Sequence, residues 1–439
     1  MADPIRVVGG GLAGCEAAIY LAEKGHQVEL QEMRPEKGTP AHQGGDLGEL
    51  VCTNSFKSED PRNAHGQLKR EMAALNSLLL RVARTSQVPA GSALAVDRSL
   101  FAKGMTGAVS NHGGISLARG EVEELPSGPA VIATGPLTSD SLSSSIRRQL
   151  GDDGLSFFDA IAPIVHRDSL NEEVVFEAGR FGEDSDYLNC PMDEEEYETF
   201  LGALKSADLH QGHEFDKVPF FEGCLPVEVM AARGVDTLRF GPMKPIGLED
   251  PRTGRRPHAV VQLRREDRSG QMWNMVGFQT RLKLGEQAQV FRLIPGLEEA
   301  EFLRWGSIHR NSYLNFPGCL TPYGSLPDRP ELIFAGQLTG VEGYTESAAS
   351  GILAGVNLDR ILAGRDAVVP PPTTVLGGLL RYLCDTVPKR FQPMNSNWGL
   401  VDPLNRRVKD KKAKREALGE RCFGGRETPE DLGRLGILA

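Results

Sequence analysis

The chain is short of aromatic residues, of positive charge and of paired cysteines. Aromatics make up 6% of its 439 positions. That disfavours a broad stacking platform for single-stranded nucleic acid, which presents rings to successive bases. Lys and Arg number 49 against 59 Asp and Glu, a formal net charge of −10. Generic nucleic-acid binding needs clustered cations facing phosphates, so an RNA partner has to meet a local basic surface. The stretch 406–421 offers one, with Lys409, Lys411, Lys412, Lys414 and Arg415. The plainer reading of such a run is a solvated helix face. The cysteines are Cys15, Cys52, Cys190, Cys224, Cys319, Cys384 and Cys422. An odd count, wide spacing and no CxxC pair exclude a disulfide framework and a zinc finger, and point to reduced cytoplasmic thiols. No apolar run approaches the roughly 18 residues of a membrane helix. The first residues enter a strand and glycine turn rather than a signal peptide. The expectation is a soluble cytoplasmic protein, without a metal.

The length suits two or three domains. Residues 5–8 read as a buried strand, 13–24 as an apolar-periodic helix with Gly25 at its C-cap, and 27–32 as a second strand. Between the first strand and the helix lies Gly9-Gly10-Gly11-Leu12-Ala13-Gly14. In such a βαβ unit Gly9 permits the tight turn, Gly11 lets the backbone approach a pyrophosphate, and Gly14 packs helix on strand. The helix N-terminus offers free N–H groups to the phosphates. Glu32, ending the second strand, is placed for ribose hydroxyls.

Two later strands separate FAD from NAD. Residues 130–133 end in Thr134-Gly135, and residues 332–335 end in Gly336-Gln337. Both resemble segments of two-domain flavoproteins that pass the cofactor. The stretch 340–351, with Glu342, Gly343, Tyr344, Ser347 and Ala348, starts a helix of small residues able to face a flavin. Residues 33–58 read as an active-site loop and 67–82 as one helical stretch. Strands are expected at 259–263 and 272–279, and Pro370-Pro371-Pro372 marks a bend. The fold class expected is α/β, a Rossmann-like FAD-binding domain (1–155 and 286–439) with an inserted α/β domain (156–285).

The segment Glu32-Met33-Arg34-Pro35, with Arg34, and the run 335–351 resemble flavoproteins that modify tRNA uridines. Further segments fit one branch nearly end to end. They include Thr39-Pro40-Ala41-His42, Val51-Cys52-Thr53-Asn54-Ser55, Ala95-Val96-Asp97-Arg98 and Tyr187-Leu188-Asn189-Cys190-Pro191-Met192. Gly223-Cys224-Leu225-Pro226-Val227-Glu228, His309-Arg310-Asn311-Ser312-Tyr313 and Asn397-Trp398-Gly399-Leu400 follow in the same order. The chain thus resembles the folate- and FAD-dependent tRNA (uracil-5-)-methyltransferases, relatives of the flavoproteins that modify the wobble uridine.

That resemblance implies 5-methyluridine formation at position 54 of the tRNA T-loop. The carbon donor is 5,10-methylenetetrahydrofolate, reduced FAD is methylene carrier and reductant, and NADPH or NADH restores the flavin. It implies Cys224 as the nucleophile at uracil C6, with Cys52 near flavin N5. Sequence leaves open whether the two thiols exchange these roles, whether ribosomal RNA is the target, and which nicotinamide serves. His309 and Tyr344 are expected at the folate ring. Lys57, Lys69, Arg70, Lys244 and Lys283 are candidate phosphate contacts. The other five cysteines read as structural or incidental. One flavin site needs one chain, so a monomer or weak oligomer is expected. A plain flavin oxidoreductase of a small molecule is the alternative.

Overall fold

A computed structural model describes residues 3–150, 154–182, 186–210 and 225–423. Its first sheet is parallel throughout, in the order Leu332–Phe334, Ala130–Ile132, Ile5–Val8, Val28–Glu32 and Ile115–Arg119. The strands Ile5–Val8, Ala130–Ile132 and Leu332–Phe334 are short and, Arg6 apart, buried, as expected where helices cover both faces of a parallel sheet. The turns after Val8, Ile132 and Phe334 converge at the carboxyl ends of neighbouring strands, where open α/β sheets bind ligands.

The helix Leu12–Glu23 follows the glycine turn and lies against Tyr344–Leu362. Their approach tolerates only small residues. A Cβ on Gly351 would stand 2.2 Å from the Ala13 carbonyl oxygen, and one on Gly355 would stand 3.1 Å from the Tyr20 ring. Residues 67–82 are not one helix. The chain forms Ala64–Ala74 and Leu78–Thr85, broken where Asn76 takes φ 57° and Ser77 caps the second helix. Asn tolerates the left-handed region, and Ser competes for backbone donors, so the pair ends one helix and starts another. Buried Glu16 reinforces that start by accepting from Ser77 Oγ, Leu78 N and Leu79 N.

The second sheet is antiparallel, in the order Phe176–Glu177, Tyr187–Met192, Ala259–Arg265, Met272–Met275, Ile164–His166 and Phe302–Arg304. Helices Glu194–Ser206, Val227–Arg233 and Leu284–Phe291 contribute to its core. That core also takes in Ile294, Leu297 and Ala300, so it continues past residue 285, the boundary expected from sequence. The strand expected over 272–279 stops at Met275 because Gly277, at φ 77°, turns the chain. An antiparallel ribbon of Gly154–Ile161 and Ser307–Leu314 runs between the two units.

Two outcomes are expected. Gly351→Ala forces the helix pair apart and costs about 1–3 kcal/mol, read as a lower Tm. Burial pushes Glu16 up to about 7, from an ordinary value of 4.5. The folded state then holds a proton that the unfolded state releases, so this group's contribution falls as pH rises from about 4.5 to 7, by on the order of 3 kcal/mol. Glu16→Gln mimics the protonated form, and urea unfolding across that range should show a flatter slope than wild type.

Candidate active site

The glycine turn is set by contacts that leave no room for side chains. Gly9 has φ 103°, and a Cβ there would lie 2.6 Å from the Ala133 carbonyl oxygen. A Cβ on Gly14 would lie 1.8 Å from the Gly9 carbonyl oxygen. Gly11 has nothing within 4 Å and opens onto a cleft of about 260 Å³. Leu12, Ala13, Thr134, Gly135, Gly336, Gln337, Glu342, Gly343, Tyr344 and Ser347 line the same cleft. Gly10, Gly14 and Ala348 stand behind the wall. Gly10 donates its N–H to Glu32 Oε2 at 2.8 Å, and Ala348 is fully buried. An open cradle on backbone N–H groups at a helix start fits a pyrophosphate.

Glu32 edges the cleft, but the protein engages it first. Its other oxygen accepts from Arg34 N at 2.9 Å and Arg34 Nε at 3.0 Å. Burial pushes the carboxyl up, yet Arg34 and the N–H groups outweigh it and hold the pKa below the usual range. A carboxylate has about four acceptor positions, so capacity remains for a ribose hydroxyl. Arg34 also donates to Gly44 O and Glu49, which makes it a brace for Glu32 that also lines the cleft.

Cys52 lies on the cleft wall, half-buried. Sequence reasoning missed the cluster that fixes its loop. The Tyr344 hydroxyl accepts from Cys52 N at 2.8 Å and Thr53 N at 3.3 Å. Arg98 donates to Leu50 O at 2.6 Å and Cys52 O at 3.3 Å, and its Nε meets Glu266 at 2.5 Å. Arg264 reaches Asn54 Oδ1 at 2.9 Å and Thr53 Oγ1 at 2.5 Å. Asn54 Nδ2 bonds the carbonyls of Val96 and Arg265. The strand end 264–266 of the second sheet therefore clamps the Cys52 loop of the first unit. Burial, then Arg98, lowers the pKa of Arg304, and Tyr344 and Cys52 oppose that shift. The Tyr344 hydroxyl is pushed up by burial first and by Cys52 second. Its ring meets Phe56 edge-on. The sequence signal for this cluster was that Thr53, Asn54, Arg98 and Tyr344 fall in the matching segments, whereas Arg264 and Glu266 fall in none.

Other expected residues sit elsewhere. Cys224 lies outside the described residues. His309 belongs to the ribbon opposite Asp159, and that strand is tied to the cleft wall where Ser312 N donates to Pro136 O at 2.9 Å. Cys15 and Cys190 are fully buried, and burial raises both thiols. Cys422 is buried too, and Cys319 and Cys384 are half-buried. Lys57 lines the cleft. Lys69 does not face RNA. It is buried, donates to Ser58 O and His65 O, and is pushed down to about 8 by desolvation. Lys283 pairs with Asp208 on the second unit. Among the described residues no His, Cys, Asp and Glu group suits a metal ion, and no helix is long and apolar enough to cross a membrane.

Removing one partner of the buried clamp leaves the other charge uncompensated. Arg98→Ala should cost about 3–5 kcal/mol, read as a drop in Tm. The double change Arg98→Met with Glu266→Leu should recover part of that loss, because the Arg98–Glu266 pair goes together while Arg264, 3.7 Å from Glu266, keeps only its bonds to Asn54 and Thr53. Equal Tm losses in the single and double variants would contradict the clamp.

Comparison with known proteins follows the same lines. The chain is 52% identical over 421 residues to the methylenetetrahydrofolate–tRNA-(uracil-5-)-methyltransferase TrmFO of Syntrophomonas wolfei, covering 95% of this chain and 97% of the relative. The protein of the same name from Geobacter sulfurreducens is 53% identical over 426 residues, covering 96% and 98%. Among solved structures, GidA of Aquifex aeolicus in its form I crystal superposes with a TM-score of 0.69 at 17% identity. That match covers 99% of this chain and 76% of that one, and establishes a shared fold. The family model described as glucose inhibited division protein A matches residues 4–366. By that match and by these relatives, the chain belongs to the glucose inhibited division protein A family, and it is 52–53% identical to TrmFO methyltransferases.

Proposed function

We propose that the protein makes 5-methyluridine at position 54 of the tRNA T-loop from 5,10-methylenetetrahydrofolate, using FAD and NADPH or NADH. The observation that carries this reading is the identity of 52–53% across nearly the whole chain to proteins named for that reaction. It is supported by a cleft that joins a dinucleotide cradle to Cys52. The net change balances. Uridine exchanges its C5 proton for the methylene carbon, one hydride from NAD(P)H completes the methyl group, and the C5 proton together with one proton from solvent restores the two folate nitrogens as their bonds to the methylene break. Tetrahydrofolate and NAD(P)⁺ leave.

Bound FAD supplies a carrier for the one-carbon unit and two electrons for its reduction. Gly9, Gly11 and the start of Leu12–Glu23 hold the pyrophosphate. Glu32, braced by Arg34, takes the ribose. Thr134, Gly135, Gly336, Gln337 and the segment from Glu342 to Ser347 surround the rest of the cofactor. The target uridine leaves its stack to reach this depth. Cys224 adds to uracil C6, which makes C5 enolate-like and nucleophilic. Cys52 serves methylene transfer or C5 proton removal, in a loop that Tyr344 and Arg98 keep in place. His309 and Tyr344 flank the folate ring. One flavin site needs one chain, which favours a monomer or weak oligomer. Its setting is the cytoplasm, where thiols stay reduced.

The test is methyl transfer from labelled methylenetetrahydrofolate to tRNA lacking 5-methyluridine, with FAD bound and NADPH present. Wild type should label tRNA. Cys52→Ser and Cys224→Ser should each lower labelling by about a hundredfold or more, while NADPH still bleaches the bound flavin. Absence of label from tRNA with the wild-type protein would sink the reading.

A further inference from the structure

The stretch 406–415 holds Arg406, Arg407, Lys409, Lys411, Lys412, Lys414 and Arg415 against one carboxylate, Asp410, in a chain of net charge −10. Its second half opens the helix Lys411–Phe423. The far half of that helix is the anchored one. Leu418 and Cys422 are buried, and Cys422 Sγ stands 3.5 Å from Glu71. Arg421 donates to the carbonyls of Pro403 and Asp402. The near half faces solvent, with Arg406, Arg407, Lys409, Lys411, Lys412 and Lys414 exposed. None of the seven cations forms a salt bridge with a carboxylate among the described residues.

A merely solvated helix face mixes signs and favours acids in its first turn, where the helix N–H groups are positive. This first turn has no acid. The helix start is capped by Asp410, whose Oδ1 accepts from Ala413 N at 2.7 Å, and the cations of the first turn stand against the helix's own field.

The helix also packs on the segment that follows the cleft-lining Lys57. Asp60 is held below the ordinary carboxylate range by its hydrogen bonds to Arg62, and Lys412 adds to that effect. The Gly419 Cβ position lies 3.7 Å from Pro61 O. Trp398 Nε1 donates to Arg62 O at 2.8 Å. Lys57, three residues before Asp60, lines the cleft, as does Asn395, three residues before Trp398. The helix thus packs on the segment 60–67, which runs on from the cleft-lining Lys57.

We propose that the face formed by Arg406 to Arg415 docks the phosphate backbone of the RNA stem whose loop uridine enters the cleft. A single phosphate needs two or three donors. Six exposed cations and the half-buried Arg415, close together in the chain, fit a polyanion. Such contacts set register and orientation and leave specificity to the groups that touch bases, so they should act on binding and not on the chemical step. The inference rests on the proposed function for the identity of the substrate, and its own readout is binding.

The experiment uses the full-length protein. Lys411, Lys412, Lys414 and Arg415 are changed together to Gln, which keeps helix propensity. The expected result is a rise of about tenfold or more in the Kd and KM for unmodified tRNA. The slope of log K against log salt should become shallower by about three. The kcat at saturating tRNA and the reduction of bound flavin by NADPH should not change. A second variant, with Arg406, Arg407 and Lys409 changed to Gln, lies outside the helix and should shift Kd in the same direction, so helix unravelling is not the cause. A charge-matched control changes the exposed Lys24, Lys103, Lys205 and Arg256 to Gln and should leave Kd near wild type. Unchanged Kd and salt slope in the first two variants, or equal losses in the control, would overturn the proposal, as would a fall in kcat with unchanged Kd. Wild type that binds tRNA with a steep, stretch-dependent salt slope yet makes no 5-methyluridine would defeat the proposed reaction and leave this surface standing.

Discussion

The close crossing of Leu12–Glu23 with Tyr344–Leu362 is the constraint on which the site depends. Residues more than three hundred positions apart meet there, and the Ala13 carbonyl leaves no space for a side chain at Gly351. The crossing seats the glycine turn and the segment 342–347 on one cleft. It works because both helices present small residues where they touch: Ala13 and Ala17 on one, Gly351 and Gly355 on the other. Dense packing of this kind transmits any added volume directly to the backbone.

Buried glutamates supply a second kind of order. Glu16 accepts from Leu78 N and Leu79 N, Glu71 from Val375 N and Leu376 N, and Glu346 from Ser396 N. Glu32 accepts from Gly10 N. Each joins segments distant in sequence by satisfying N–H groups that would otherwise be orphaned at helix starts or turns. The carboxylates differ in charge state because their surroundings differ. Burial raises Glu16 and Glu71 to about 7. At Glu346, burial is outweighed by His65, Lys57 and Ser396, and the group stays ionised far into acid. That contrast keeps fixed negative charge at Glu346, near the start of Tyr344–Leu362, and at Glu32, while Glu16 and Glu71 titrate near neutrality.

The clamp at Cys52 joins the two units. The end of the strand Ala259–Arg265 and its turn supply Arg264, the Arg265 carbonyl and Glu266, while the first unit supplies Asn54, Arg98 and Tyr344. A loop with a half-exposed thiol has few apolar contacts of its own, and this polar frame fixes its backbone. The frame is also why Tyr344, expected at a ring, has a second duty at the Cys52 and Thr53 amides.

The sequence by itself determined four strands of the parallel sheet, the glycine turn and the first helix, because these follow from local pattern: short buried apolar strands, glycines at fixed offsets and apolar periodicity; the fifth strand, Ile115–Arg119, it did not show. It also determined the likeness to the methyltransferase family, which rests on many short segments in one order. Tertiary structure alone decided the rest. The break at Asn76 depends on Glu16, sixty residues away, capping the next helix. The second core passes residue 285 because Ile294, Leu297 and Ala300 find the antiparallel sheet. Lys69, a surface cation by composition, is buried by its bonds to Ser58 and His65 carbonyls. Arg98, Arg264 and Glu266 meet only when two sheets are brought together. No periodicity encodes a contact across so many intervening residues, because side-chain pairing at that range is set by packing.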